Sequence, residues 1–295
     1  MKIKVPYVNI VGQHKLLKDE IIEAVSKVID RGQFVLGDEV SEFERQFAQL
    51  CNVKFSVGVN SGTNALILAL RGLGIKRGDE VITVANSFIA TTSAIVLVGA
   101  HPVFIDVRDD YNMNPKQIEQ AITSKTKAIL PVHLTGRPAD MDPIIEIAQA
   151  YNLYVIEDCA QAVTAEYKSR PVGSIGTAGC FSLHPLKTLN ACGDGGVLTT
   201  NNEELYERFK LLRNLGLQSR DECVVWSNNT RLDTLQASIL LIKLKYLSKW
   251  TEQRRANAVF YQKGLIDLSN IQVPMDKEYE KAVYHTFVIQ CEGRD

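Results

Sequence analysis

The stretch Phe55-Ser56-Val57-Gly58-Val59-Asn60-Ser61-Gly62-Thr63-Asn64-Ala65 reads as a short buried strand, a turn of small residues and the opening of a helix that continues to Leu73. The same unit repeats downstream. Strands are predicted at Glu80–Val84, Pro102–Ile105, Ala128–Val132 and Leu153–Ile156, with helices at Ser87–Val98, Asn114–Ile122 and Met141–Tyr151 between or after them. Short apolar strands alternating with helices predict an α/β fold with a mostly parallel sheet sandwiched by helices.

Upstream, Leu16–Ile29 places Leu17, Ile21, Ala24, Val25 and Val28 on one helical face and stops at Arg31-Gly32. A second amphipathic helix is predicted at Asp38–Leu50, with Asp38 as its N-cap. Downstream, strands Gly179–Leu183 and Gly196–Thr200 bracket a glycine-rich turn. After residue 200 the texture changes: helices are predicted at Glu203–Leu215 and about Leu232–Leu265, then a strand at Thr286–Gln290. The long helix can carry the chain out of the large domain, so a second domain has only a beginning here.

The 295 residues carry 33 basic and 34 acidic side chains, which argues against a nucleic-acid or membrane-surface partner. The six cysteines show no C-x-x-C spacing and read as reduced structural thiols, most in apolar surroundings. The five histidines lack metal-ligand spacing, so no metal site is predicted. Met1-Lys2-Ile3-Lys4-Val5-Pro6 lacks the apolar core of a signal peptide, and Ala94–Ala100 is too short to span a bilayer. A cytoplasmic location is expected.

Three segments carry chemistry. In Asn60-Ser61-Gly62-Thr63-Asn64-Ala65, small residues at a helix start let backbone N–H groups approach a phosphate. Taken alone, a capped helix start is the commoner reading. Val155-Ile156-Glu157-Asp158-Cys159-Ala160-Gln161-Ala162 puts carboxylates at the carboxyl end of an apolar strand, where open α/β sheets bind ligands. Taken alone, an ordinary helix cap is the slightly commoner reading. In Cys180-Phe181-Ser182-Leu183-His184-Pro185-Leu186-Lys187-Thr188-Leu189-Asn190, a lysine follows a strand and precedes the turn Gly193-Asp194-Gly195-Gly196. The spacing of Ser182 and Lys187 suits a phosphate contact and an amine reaching one ligand.

Together, with Phe34-Val35-Leu36-Gly37, Arg231-Leu232-Asp233-Thr234-Leu235-Gln236-Ala237 and Tyr284-His285-Thr286-Phe287, these segments resemble the DegT/DnrJ/EryC1/StrS family of sugar aminotransferases. The resemblance implies the type I fold of pyridoxal-phosphate (PLP) enzymes and a homodimer. It implies a large PLP-binding domain over residues 1–245, N-terminal helices included. Because family members usually continue past residue 295, it implies that 246–295 is the start of a small C-terminal domain, cut short.

By the same resemblance, Lys187 is the Schiff-base lysine and Asp158 the partner of the pyridinium nitrogen. Gln161 lies near the cofactor hydroxyl. Phe88, in Ala85-Asn86-Ser87-Phe88-Ile89-Ala90-Thr91, stacks on the ring, and as ring partner or core aromatic it is expected to be buried. Gly62, Thr63 and Ser182 cradle the phosphate. Asn229 matches an asparagine that reaches the neighbouring subunit's cofactor phosphate, making a shared active site, although Ser227 stands where that motif usually opens with glycine.

The implied reaction moves an amino group from an amino acid, glutamate being the expected donor, to a nucleotide-linked keto-sugar, with Lys187 as proton carrier. Relatives that dehydrate sugars tend to have histidine at the lysine position, so Lys187 points to transamination. The Gly193-Asp194-Gly195-Gly196 turn is similar to that of many 3-keto-sugar enzymes, whereas a glutamate version is common among 4-keto ones. The competing expectations are a cyclitol or other keto acceptor, and a PLP-fold scaffold that does no chemistry.

Overall fold

The computed structural model describes residues 5–6 and 8–293. Met1–Lys4, Tyr7, Arg294 and Asp295 lie outside it, and with them most of the opening segment that was read for a leader. Helices α1 (Ile10–Lys15), α2 (Lys18–Arg31) and α3 (Asp38–Leu50) lead into β1 (Phe55–Val59) and α4 (Gly62–Gly72). The alternation continues through β2 (Glu80–Val84), α5 (Ile89–Leu97) and β3 (His101–Ile105). A 3-10 turn at Pro115–Gln117 runs into α6 (Ile118–Ala121), followed by β4 (Thr126–Ile129), α7 (Met141–Ala150) and β5 (Tyr154–Asp158). Next come the small strands β6 (Glu166–Tyr167) and β7 (Arg170–Pro171), then β8 (Ala178–Ser182), β9 (Gly196–Thr200) and α8 (Glu203–Arg213). The long α9 (Thr234–Leu265) precedes three two-residue strands, β10 (Ile271–Gln272), β11 (Glu280–Lys281) and β12 (Gln290–Cys291).

The main sheet has the order β1-β9-β8-β5-β4-β2-β3. Its pairings are parallel from β8 through β5, β4 and β2 to β3, while β9 is antiparallel to both β8 and β1. One reversed strand inside an otherwise parallel sheet matches the expected α/β architecture. Both faces are covered, which is why the strands read as nearly unbroken apolar runs. Side chains alternate between faces: Cys180 and Leu198 join Leu66, Leu70, Ile82 and Ile144 in one core, whereas Phe181 and Val197 join Phe43, Phe47 and Leu240 in the other. Helix α9 contributes to that second core and, with 32 residues, runs about 48 Å at 1.5 Å per residue.

Several expectations need correction. Gly37, not Asp38, is the N-cap of α3, and its N–H donates to Thr234 Oγ1 at the start of α9. Asp38 is instead the first helical residue, where its charge favours the helix dipole. The strand expected at Thr286–Gln290 is reduced to Gln290–Cys291, paired with Ile271–Gln272. Its preceding residues are held by a turn rather than a sheet: Val283 N–H donates to the Gly136 carbonyl and Thr286 N–H to that of Thr135. Residues after 265 also meet the sheet-bearing part through the buried ion pair Glu280–Arg137 and the β11–β6 pairing. Only Cys51, Cys159 and Cys180 are buried; Cys192, Cys223 and Cys291 are exposed, and all six are free. Among the described residues, no helix is long and apolar enough to cross a membrane.

The second core gives a direct test of this packing. Phe47 is fully buried and meets Phe181 edge-on at 5.0 Å between ring centroids. Phe47→Ala is expected to lower unfolding free energy by about 3–5 kcal/mol, read from the urea midpoint at constant slope.

Candidate active site

Strands β1, β5 and β8 point the same way, so Asp158, Ser182 and the turn after Val59 emerge at one edge of the sheet, the edge where open α/β folds place ligands. The turn and Ser182 are in contact: a Cβ on Gly62 would lie 2.6 Å from the Cβ of Ser182. A Cβ on Gly196 would strike the Ser61 carbonyl, so glycine is required at both places by close approach. Ser61 caps α4, its Oγ accepting the Asn64 N–H at 3.1 Å. The N–H groups of Gly62 and Thr63 have no protein acceptor among the described residues, and they open an 11-residue helix. Free N–H groups at a helix N-terminus suit a phosphate.

Asp158 is buried at the end of β5. Its Oδ2 accepts the Thr91 hydroxyl at 2.8 Å and its Oδ1 the Ala160 N–H at 3.1 Å. Thr91 in turn lies 2.7 Å from Ser87 Oγ. Burial pushes the Asp158 carboxyl above its usual range, against the pull of Thr91, Ala160 and Lys187. Burial pulls the Lys187 amine below its usual range, against the attraction of Asp158. In both groups desolvation outweighs mutual attraction, and no ion pair joins them among the described residues. They lie within electrostatic reach of one another without touching.

Gln161 is held at its carbonyl end, where Oε1 accepts the Thr135 N–H at 2.8 Å, leaving its amide N–H groups to donate. Thr135 adopts φ 61°, an unusual value for a β-branched residue. Phe88 corrects the expectation of burial, because it is 70% exposed. It caps α5 in an extended conformation, and its carbonyl takes the Thr91 N–H at 3.1 Å. The buried position thus falls to Thr91, while Phe88 is left exposed with its carbonyl holding the helix start. Asn229 is exposed, and its Oδ1 accepts the Arg231 N–H at 3.3 Å. Its neighbour Thr230 accepts the Asn60 N–H at 2.9 Å, which brings this loop against the Asn60–Thr63 turn.

Three features were missed by sequence reasoning. Thr91 was within a quoted segment, but only the fold shows that it meets Asp158. Lys243 is fully buried on α9. Its Nζ donates to the Asn190 carbonyl at 2.8 Å, Asn190 Oδ1 at 2.6 Å and His14 Nε2 at 2.6 Å. Cys192 Sγ is a longer fourth contact at 3.8 Å. Accepting at Nε2 leaves a neutral His14 with its proton on Nδ1; burial and the Lys243 charge lower its pKa. Asn190 Nδ2 then donates to the Lys187 carbonyl at 2.9 Å, so Lys243 steadies the backbone that carries Lys187. A lone lysine in Leu240-Leu241-Ile242-Lys243-Leu244 was the available signal. The third feature is a cavity of about 870 Å³ beside Lys187, lined among others by Gln13, Trp250, Arg254, Tyr261 and His285.

His133, Glu157 and Cys159 cluster within reach of one another. His133 Nδ1 accepts the Ala139 N–H at 2.9 Å, so Nε2 carries the proton toward Glu157 at 3.0 Å. That tautomer leaves no imidazole lone pair for a metal ion.

Comparison with known proteins gives the site a context. The profile described as the DegT/DnrJ/EryC1/StrS aminotransferase family matches residues 15–295. A UDP-N-acetyl-3-dehydro-alpha-D-glucosamine 3-aminotransferase of Acidithiobacillus ferrooxidans is 44% identical, over 99% of this chain and 79% of its own length. A dTDP-3-amino-3,4,6-trideoxy-alpha-D-glucose transaminase of Streptomyces venezuelae is 41% identical, over 99% of this chain and 77% of its own. The crystal structure of DesV from S. venezuelae superposes with a TM-score of 0.96 at 41% identity, covering 98% of this chain and 78% of that one.

The Lys187 shift has a consequence for stability with a definite sign. A lysine whose pKa is lowered in the fold is disfavoured there when charged. The penalty is full below the folded pKa and fades as pH rises toward the ordinary value of 10.5. Lys187→Met is therefore expected to melt higher than the wild type as cofactor-free protein near neutral pH. The gap should close toward pH 10.5; thermal melts across that range check it.

Proposed function

The chain belongs to the DegT/DnrJ/EryC1/StrS aminotransferase family, and from that premise we propose that it transfers an amino group from glutamate to C3 of a nucleotide-linked 3-keto-sugar. The coarser part is plain: this is a PLP-dependent aminotransferase related to nucleotide-sugar aminotransferases. The position of the amine is supported by several relatives whose names carry a 3-amino or 3-oxo sugar. The turn Gly193-Asp194-Gly195-Gly196 agrees with them.

The residues present fit the cofactor. The unpartnered N–H groups of Gly62 and Thr63, with Ser182 against them, would hold its phosphate. Asp158 would face the ring nitrogen, Gln161 the hydroxyl and Phe88 the ring face, with Lys187 at the aldehyde. When bound, the cofactor supplies an electron sink for charge developing at the donor's α-carbon.

The observation that carries the reading is the shared opposition of Lys187 and Asp158. Burial lowers the Lys187 pKa and so favours the neutral amine, the form that acts as nucleophile and base. Asp158, steadied by Thr91 and Ala160, offers a carboxylate whose charge is fully realised once a positive ring nitrogen faces it. With the cofactor bound, Lys187 Nζ would take the proton from the donor's α-carbon and later give it back, acting as base and then acid. The same steps in reverse aminate the keto-sugar.

The active unit in this proposal is a homodimer in which Asn229 serves the partner's cofactor phosphate. The exposure of Ile89, Val96 and Leu97, all on α5, supports a covering partner.

The visible absorption spectrum before and after glutamate tests the proposal. Purified protein with PLP is expected to show a lysine-bound cofactor band that glutamate converts to the pyridoxamine form. Lys187→Ala should abolish the starting band, and a band indifferent to every amino donor would refute transamination. A panel of 3-keto and 4-keto nucleotide sugars then decides the ring position.

A further inference from the structure

The cavity beside Lys187 is chemically one-sided. Its described lining includes Lys187 from the loop after β8, Arg254 from α9 and His285 from the segment after β11, and no aspartate or glutamate. Arg254 makes no ion pair among the described residues. One of its N–H groups reaches the His285 carbonyl at 3.3 Å, and burial lowers the guanidinium's pKa with no carboxylate to oppose it. A partly buried guanidinium without a counter-charge is costly to the fold, and such groups are ordinarily paired.

His285 adds an independent observation. Its Nδ1 is buried and has no hydrogen-bond partner. Lys187, Arg254 and His285 line one cavity, and burial, then the charges of Lys187 and Arg254, push the imidazole down to about 3. A neutral imidazole can still donate one N–H. Gln13, Gln253 and Asn257 lie on the same lining and supply further amide donors.

We infer that Arg254 and His285 form an oxyanion subsite beside Lys187, which takes a carboxylate or phosphate group of a bound reactant. The inference rests on the aminotransferase reading and deepens it. Arg254 offers the planar fork that pairs with carboxylate or phosphate oxygens in bidentate fashion, and its partial burial leaves that pairing less screened than in open water. Both proposed reactants bring such a group. In the amino donor, the α-carboxylate is bonded to the carbon that bears the amine. In the nucleotide sugar, the diphosphate sits on C1, two ring positions from the reacting C3.

Two unreactive probes separate these sources: glutarate for the donor's carboxylates and uridine diphosphate for the nucleotide. Each is titrated by calorimetry into the PLP-loaded wild type, Arg254→Lys, Arg254→Met and His285→Phe. Arg254→Met is expected to weaken one probe at least tenfold and leave the other within about twofold, with Arg254→Lys in between. Loss of glutarate assigns the subsite to the donor, and loss of uridine diphosphate assigns it to the sugar nucleotide. Retention of both probes by Arg254→Met with its cofactor band intact overturns the subsite, as does a wild type that binds neither. Should Arg254→Met not fold, His285→Phe and Arg254→Lys decide by the same criterion. A wild type that binds a probe but is not converted by glutamate would sink the aminotransferase reading and leave the subsite standing.

Discussion

The carboxylate of Glu157 holds the edge of the sheet on which the site is built. It is fully buried, and it accepts N–H groups from Gly173 at 2.8 Å, Ile175 at 2.8 Å and Gly176 at 2.7 Å, together with His133 Nε2 at 3.0 Å. Burial alone would raise its pKa, but these bonds more than offset it, and the carboxyl is held below its usual range. A buried charge satisfied by four donors is stabilising where an unpaired one would be ruinous. The same contacts tie β5 to the Gly173–Gly176 loop and to the turn after β4. The next residue, Asp158, therefore leaves the strand at a fixed height, its N–H on the Pro131 carbonyl and its own carbonyl on the His133 N–H.

Neighbours in sequence thus have opposite electrostatic fates. Glu157 is overpaired and Asp158 underpaired, with two donors and a pKa raised by burial. Lys187, Arg254 and His285 are likewise left short of partners. Around Lys187 several polar groups lack partners, while Glu157, one residue from Asp158, is fully bonded. That contrast is the physical mark of a site kept ready for charged ligands, since stability alone would have paired or removed these groups.

Much of the fold was legible because a sheet covered on both faces demands apolar strands, and β1, β2 and β9 fall where the apolar runs fall. The family motifs brought Asp158, Ser182 and Gly62 to one edge, as the parallel order of β1, β5 and β8 requires. Other features were illegible for definable reasons. The N-cap of α3 is Gly37 because Thr234, distant in sequence, accepts its N–H. The segment before Gln290 is apolar enough for a strand, yet its backbone is engaged by the Thr135–Gly136 turn. Phe88 looked like a buried aromatic, but hydrophobicity does not tell a core from a cleft or a subunit contact. Thr91, Lys243 and Arg254 act only through partners far along the chain, and no local pattern reports such partners.

The environment of Lys187 shows how one residue can be both fixed and free. Its N–H donates to the His184 carbonyl at 2.8 Å, and its carbonyl accepts from Asn190, itself clamped by the buried Lys243. Among the described residues its Nζ makes no hydrogen bond. Rigidity has been placed in the backbone and mobility in the side chain. The proton transfer proposed for Lys187 would use that division, because the amine would swing between atoms of a bound reactant while its anchor stays still. It also explains why a second, fully buried lysine is worth its desolvation at this spot. A cation with three protons can hold a carbonyl, an amide oxygen and an imidazole at once, which ties α1 and the Lys187 loop to α9 through a single atom.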